Sequence, residues 1–562
     1  MFWQWFIIIV ILPVTFIVFL IFCIFVLVPS AFIFASWYMR IKERKLTRRK
    51  RDGANVAFFH PYANSGGGGE RVLWVAIKAM QTSIIVILPV TFIGFLIFCI
   101  FVLVPSAFIF ASWYMRIKER KLTRRKRDGA NVAFFHPYAN SGGGGERVLW
   151  VAIKAMQTRY PDTNIFIYTV DTAEAQTILD RAQNQFNVKV EPGKINFVRL
   201  ILKRAIEAES YPYFTLLLQS LGSMALGMEA FMKLNPDVFI DTTGYAFTYP
   251  IFRYLAQCPV GSYTHYPTVT GAMMRRVKHR IVAYNNSGVI ARNPIFTWLK
   301  LLYYKIFGWM YGVVGRCADV VMVNGTWTEE HINELWEIPL STHRVYPPCE
   351  VTELKQLRSL VKESDPIRIL SVAQFRPEKD HPLMLQAMYE LRNLLVKNEV
   401  LWNKIKLVLV GSCRNSVDEE RVQNLKDLAK HLALEDSVQF VVNAPYARLL
   451  QLYQTCSLAI HAMWNEHFGI SVVECMAAGL ITIAHRSGGP LADIIETSET
   501  SRTGYLASEP DEYARAILEV IALPSDQKKR IVEAARASVD RFSEMEFEKA
   551  FLRAAEPLFA LD

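Results

Sequence analysis

Residues 457–486 read SLAIHAMWNEHFGISVVECMAAGLITIAHR. A short apolar run, SLAIHAM, leads into a polar loop, then a helix-like stretch closed by Gly479, then a second apolar run, LITIAHR. Strand, loop, helix and strand in this order make a βαβ unit, which predicts a parallel sheet covered by helices. Ligands of such sheets bind outside the carboxyl ends of the strands, so the loop after SLAIHAM is where chemistry is expected. It carries Glu466, and seven residues separate this glutamate from Glu474 inside the following helix. A helix that starts near Gly469 points its free backbone amides at the loop, where they can hold a diphosphate; at a rise of about 1.5 Å per residue, Glu474 sits about one turn inside. One carboxylate can then accept from sugar hydroxyls and the other from a ribose. Phe468, Gly469 and Ile470 form the turn between them and are assigned to the nucleotide with Glu474. Two glutamates at this spacing, taken alone, read as an ordinary solvated helix; the neighbouring motifs reverse that reading.

Working outward, the same rhythm begins after Pro347-Pro348 with IRILSVAQF (367–375) and continues through KLVLVGS (406–412) and SVQFVVN (437–443). Directly after the first of these strands stands Gln374-Phe375-Arg376-Pro377-Glu378-Lys379. Arg376 and Lys379 at a strand's carboxyl end can neutralise a leaving nucleoside diphosphate, work done by a metal in other transferases, so no metal and no cofactor is expected. A turn of solvated charges is the plainer alternative for this segment by itself. Ser487-Gly488-Gly489-Pro490, after LITIAHR, adds a small-residue turn on the nucleotide side of the cleft.

An earlier series runs NVAFFHPYA (131–139), NIFIYTVD (164–171), DVFIDTTG (237–244), PVGSYTHYP (259–267) and CADVVMVNG (317–325). Between its first strand and the following helix lies Ser141-Gly142-Gly143-Gly144-Gly145-Glu146-Arg147, whose Gly143, Gly144 and Gly145 let backbone approach a ligand closely. The loop has no GK[ST] ending and no GxGxxG spacing, which argues against a P-loop and a nicotinamide dehydrogenase. His265 in Thr264-His265-Tyr266-Pro267 can hydrogen-bond a transferred sugar, although a lone histidine is more often structural. The fold class expected is α/β: two Rossmann-like domains, 129–348 and 349–562, facing a cleft, with a linker near 344–353 and an N-terminal transmembrane anchor.

Residues 8–82 recur at 84–158 with one substitution, Val18 against Gly94. A structural repeat diverges and has a shorter period, so this is a recent duplication or a gene-model error. Only the second copy runs on into the rest of its domain, so residues 1–83 are expected to be dispensable and 84–128 to supply the anchor. Each copy holds an apolar stretch followed by RIKERKLTRRKR, at 40–51 and 116–127. A positive flank on that side puts the following domains in the cytosol. These runs account for much of the net charge of +11; they abut an apolar span and lack interleaved aromatics, so nucleic acid is not the favoured partner. Residues 295–314 are aromatic and basic, as an interfacial helix is, and equally suit a core helix. The eight cysteines are scattered without CxxC or zinc spacing, in keeping with a reducing compartment, and the sequons at Asn285 and Asn324 are expected to be unused.

Taken together, GGGGER, THYP, FRPEK, the EHFGISVVE spacing and SGGP resemble the retaining family-four glycosyltransferases of GT-B fold. Within them the chain is most similar to the α-1,2-mannosyltransferases of asparagine-linked glycosylation, from about residue 131 to the C-terminus. The resemblance implies GDP-mannose as donor and a dolichol-diphosphate-linked trimannosyl oligosaccharide, extended to a pentamannosyl one, as acceptor. It further implies the cytosolic face of the endoplasmic reticulum membrane as location, and other mannosyltransferases of the pathway as partners. Glu474 would meet the ribose, Glu466 the mannose, Arg376 and Lys379 the diphosphate, and His265 with Gly143 to Gly145 the mannose and acceptor. Where the broader family carries Gly-Arg this chain has Ala373-Gln374, so Arg376 takes the arginine's part. A related transferase using a UDP-sugar and a catalytically silent membrane scaffold are the competing readings.

Overall fold

The computed structural model describes residues 129–280, 288–362 and 365–559. The duplicated segment, the anchor with its basic flank and the sequon at Asn285 lie outside the described residues. Among the described residues no helix is long and apolar enough to cross a membrane.

Seven strands build the first sheet: β1 (Asn131–Phe135), β2 (Asn164–Thr169), β3 (Ile195–Arg199), β4 (Val238–Asp241), β5 (Val260–Thr264), β6 (Val320–Val323) and β7 (Thr342–Arg344). Their order is β3-β2-β1-β4-β5-β6-β7 and every pairing is parallel. β1 is buried along its whole length because helices cover both faces of the sheet. Alternation sends Val132 and Phe134 into one core with Val148 and Trp150, and Ala133 and Phe135 into another with Phe239 and Phe252.

The second sheet contains β8 (Ile367–Val372), β9 (Ile405–Gly411), β10 (Val438–Val442), β11 (Leu458–His461), β12 (Ile481–His485) and β13 (Tyr505–Ala507), ordered β10-β9-β8-β11-β12-β13 and parallel throughout. In each sheet the winding reverses once, between β1 and β4 and between β8 and β11. Loops diverge there in opposite directions and leave a crevice. The Gly-rich loop follows β1, FRPEK follows β8 and the Glu466 loop follows β11, so these three motifs sit at the two switch points, while His265 and SGGP follow the next strands, β5 and β12.

One boundary needs correction. The expectation of 349–562 as a single domain fails at its end, because the chain crosses back near a β-bridge between Cys349 and Ser543. The helix Glu544–Ala555 then packs on the helix Gly144–Arg159, and its Phe547, Phe551 and Ala554 join the core of the first domain. The cause is packing: both faces of Gly144–Arg159 are apolar, and the sheet covers only one.

The helix Pro294–Gly315 packs one face into the core and leaves the other exposed. Tyr304, Phe307, Gly308, Tyr311 and Gly312 face inward, and a side chain on Gly312 or Gly315 would collide with the helix Thr326–Trp336. Its outer stripe of Ile295, Trp298, Leu302, Ile306 and Trp309 is apolar and exposed, Trp309 by 69%. Beside it Phe214, also exposed, packs edge-on against Tyr303.

Candidate active site

The second domain's half of the site starts at the carboxyl end of β11. His461 ends the strand, Asn465 turns the chain with φ 52°, Gly469 does so again with φ 115°, and the helix Ile470–Ala478 begins one residue later than expected. Between these turns Glu466 points back at its own domain. Its Oε2 lies 2.5 Å from Lys379 Nζ and 2.9 Å from His461 Nε2, while among the described residues Oε1 has no hydrogen-bond partner. Burial drives this carboxyl's pKa up, but Lys379 and His461 outweigh it and hold the group well below the usual carboxylate range. Glu466 is therefore an anion with one oxygen secured and the other available.

The first domain faces it across the cleft. Glu146 closes the Gly-rich loop on itself, accepting from Gly143 N and Ser141 Oγ, with His136 Nε2 at 3.5 Å. Burial opposes its ionisation, yet His136, Ser141 and Gly143 bring its pKa down to about 2. A side chain at Gly144 would come within 2.8 Å of Ile470 Cδ1, and one at Gly145 within 3.5 Å of His265 Nε2. The glycines thus let this loop lie against the opposite helix terminus and the histidine ring. His265 Nε2 is 3.0 Å from the Thr242 carbonyl oxygen, and burial lowers its pKa to about 4, so near neutral pH it is an uncharged imidazole whose Nε2–H donates to that oxygen.

One cavity of about 790 Å³ is lined by Gly143, Gly144, Gly145, His265, Arg376, Lys379, Glu466, Phe468, Gly469 and Ile470. The structure therefore unites ten of the assigned residues. Glu474 opens instead into an adjoining space of about 930 Å³, shared with Arg147, Tyr446 and Tyr453. Burial, opposed by Arg147 and aided by Glu350, raises its pKa to about 7. A third space, about 650 Å³, lies on the first domain's side between His136, Tyr138, Tyr245, Tyr266 and Tyr311.

Three of the assigned residues stand apart from these spaces. Ser487, Gly488 and Gly489 line none of these three spaces; they support the Glu466 loop from behind. Ser487 Oγ accepts from Asn465 N, Gly489 N donates to the Glu466 carbonyl, and a Cβ on Gly488 would stand 2.2 Å from that same oxygen. The small residues are needed because the loop's backbone occupies the space their side chains would fill. Four residues went unassigned: His136, Glu146, His461 and Asp493. Asp493 is buried in the second domain, yet it accepts from Thr326 N and Oγ1 of the first. His136 reaches Thr242 Oγ1 only through long-range strand pairing, whereas Glu146 closes a local turn with Gly143 and Ser141, so the three-residue spacing of Gly143 and Glu146 is the signal that could have found it. Asn324, in the second sequon, is 5% exposed and donates to the His265 carbonyl.

Two parallel sheets facing one cleft, with a partly buried carboxylate, a cation and a helix N-terminus on one side and a Gly-rich loop on the other, define a glycosyltransferase of GT-B fold. Solved structures with this fold include a sucrose-phosphate synthase from Thermosynechococcus elongatus (TM-score 0.54, 17% identity, 76% of this chain and 99% of that one). Another is the Anabaena protein HepE, crystallised with UDP and glucose (TM-score 0.52, 16% identity, 77% and 100%). The profile described as ALG11 mannosyltransferase N-terminus matches residues 53–93 and 129–336, and that of glycosyl transferases group 1 matches 353–538. The human GDP-Man:Man(3)GlcNAc(2)-PP-Dol alpha-1,2-mannosyltransferase is 45% identical over 460 residues, 80% of this chain and 93% of that protein. The Dictyostelium discoideum protein of the same name is 42% identical over 431 residues, 76% and 85% respectively. The chain belongs to this family of GDP-Man:Man(3)GlcNAc(2)-PP-Dol alpha-1,2-mannosyltransferases.

Proposed function

We propose that the chain transfers mannose from GDP-mannose, with an α-1,2 linkage and retention of configuration, to a dolichol-diphosphate-linked trimannosyl oligosaccharide. The observation that carries the assignment of roles is Glu466, held through Oε2 with Oε1 unpaired among the described residues, at the mouth of a helix N-terminus. Oε1 accepts from a mannose hydroxyl. Lys379 and Arg376 neutralise the GDP diphosphate beside the amides of Ile470 and Ser471, so the donor needs no metal at this point. Glu474 meets the ribose, and the Gly-rich loop with His265 borders the mannose and the acceptor. As the bond from mannose C1 to phosphate oxygen breaks, the acceptor hydroxyl attacks C1 from the same face. The departing phosphate oxygen takes the hydroxyl proton, which balances the step without a protein nucleophile.

The same reading gives the protein an N-terminal anchor, catalytic domains on the cytosolic side of the endoplasmic reticulum, and neighbours among mannosyltransferases of the pathway. The outer stripe of Pro294–Gly315 suits contact with that bilayer. The test is transfer of radiolabelled mannose from GDP-mannose to a trimannosyl lipid-linked acceptor by detergent-solubilised protein, with UDP-sugars in parallel. Glu466→Ala and Lys379→Ala each lower the rate by about a thousandfold, as loss of an electrostatic stabiliser does. Transfer only from a UDP-sugar would replace the donor, and full activity in either variant would remove the roles given to these residues.

A further inference from the structure

Lys379 and His461 hold the same oxygen of Glu466, but their prospects on donor binding differ. Lys379 is a flexible cation whose side chain is 20% exposed and lines the cleft. A nucleoside diphosphate entering there carries more negative charge than one carboxylate, so it draws the ammonium away from Glu466. His461 cannot follow. Its side chain is 4% exposed, its ring ends β11, and its carbonyl oxygen accepts from the hydroxyl of Tyr513, a residue buried in the helix Pro510–Ala522. Met463, whose sulfur lies 3.1 Å from Lys379 Nζ, offers Glu466 no donor.

We infer that His461 is a positioning residue for the transfer: its Nε2–H stays on Glu466 Oε2 when Lys379 turns to the diphosphate, and so keeps Oε1 aimed at the mannose. Without it the carboxylate of the loaded enzyme has no fixed protein partner and rotates about its last side-chain bond. Glu466 being ionised, Nε2 carries the proton and Nδ1 does not need one, so a neutral imidazole suffices. A glutamine amide at this position reaches where Nε2 stands; a leucine fills the volume and donates nothing.

This rests on the role proposed above for Glu466, and the experiment separates the two. Steady-state kinetics with GDP-mannose, and GDP binding by calorimetry, are measured on His461→Leu, His461→Gln, Glu466→Gln and His461→Leu/Glu466→Gln in the full chain. His461→Leu is expected to lower kcat about tenfold to a hundredfold, the range for losing a hydrogen bond to a charged group, with GDP affinity unchanged. His461→Gln recovers most of that loss, and the leucine costs several-fold less once Glu466 is glutamine, whose uncharged oxygen gains less from the histidine. That last comparison holds even if His461→Leu lowers thermal stability, because the loss of fold would add to both backgrounds. A wild-type kcat in His461→Leu, or an equal loss in both backgrounds, overturns the positioning role while leaving Glu466 in place. Wild-type activity in Glu466→Gln overturns the reading of the site itself.

Discussion

Three glutamates, one buried and two partly buried, illustrate how far one residue type is bent by its surroundings. Glu146 has its pKa lowered to about 2 and Glu474 has its own raised to about 7, both from 4.5, while Glu466 is held low. The sign of each follows from its partners: Glu146 has a histidine, a hydroxyl and an amide, whereas Glu474 is largely desolvated and the Arg147 near it is shared among other carboxylates, Glu350 at 2.9 Å and Glu544 at 3.9 Å. A group whose folded pKa is raised gives stability that is complete below its unfolded value and lost as pH rises through the folded one. Glu474 therefore contributes below 4.5 and ceases to by about 7. Urea unfolding of donor-free protein across that window is expected to show the wild type falling progressively behind Glu474→Gln. A midpoint difference that does not change with pH would show that Glu474 does not titrate there. Glu146 has the opposite sign, with stability present above 4.5 and lost as pH falls towards 2.

At the scale of elements, the turn after β12 acts as a bracket for the turn after β11. Gly488 has φ 59°, and its missing side chain leaves room for the Glu466 carbonyl. Gly488→Ala combines left-handed strain with that collision and is expected to cost about 1–3 kcal/mol in thermal unfolding. It should also depress transfer more than GDP binding, since Glu466 moves while Ile470 does not. A variant with unchanged transfer would mean that the loop accommodates the methyl without moving Glu466. The helix Pro294–Gly315 makes the second case. Trp298 and Trp309 are 60% and 69% exposed, and neither belongs to the core clusters of the first domain. Replacing both by serine is expected to weaken flotation of a chain beginning at residue 129 with anionic vesicles by about tenfold, with Tm unchanged. Unaltered flotation would free this face from any part in membrane contact.

For the whole molecule, the second crossing of the chain matters as much as the first. Phe547 and Phe551 are 2% and 0% exposed, and their neighbours lie nearly four hundred positions earlier: Lys154 pairs with both Glu544 and Glu548. Truncation after residue 542 removes no part of the second sheet. It is nevertheless expected to strip hydrogen-exchange protection from Gly144–Arg159, and Phe551→Ala alone to cost about 3–5 kcal/mol. Retained protection in the truncated chain would reduce the terminal helix to an ornament. Because Gly144–Arg159 opens with the Gly-rich loop, damage at the C-terminus reaches the first domain's side of the cleft.

What the amino-acid sequence determined by itself was local and periodic. Apolar runs alternating with helical stretches specify two parallel α/β sheets, and short motifs such as NEHFGISVVE and FRPEK mark strand ends, because hydrophobic patterning and turn chemistry act over a few residues. It also placed Glu466, Lys379, His265 and the Gly-rich loop in one site, since switch-point geometry brings such loops together. Three further features were decided only by tertiary structure. His461 and Lys379 share one oxygen of Glu466; SGGP supports the Glu466 loop from beneath; and the last helix packs into the first domain. Each depends on contacts between segments distant in the chain, where the side chain that fills a space or completes a hydrogen bond is selected by three-dimensional packing and leaves no period or spacing to read.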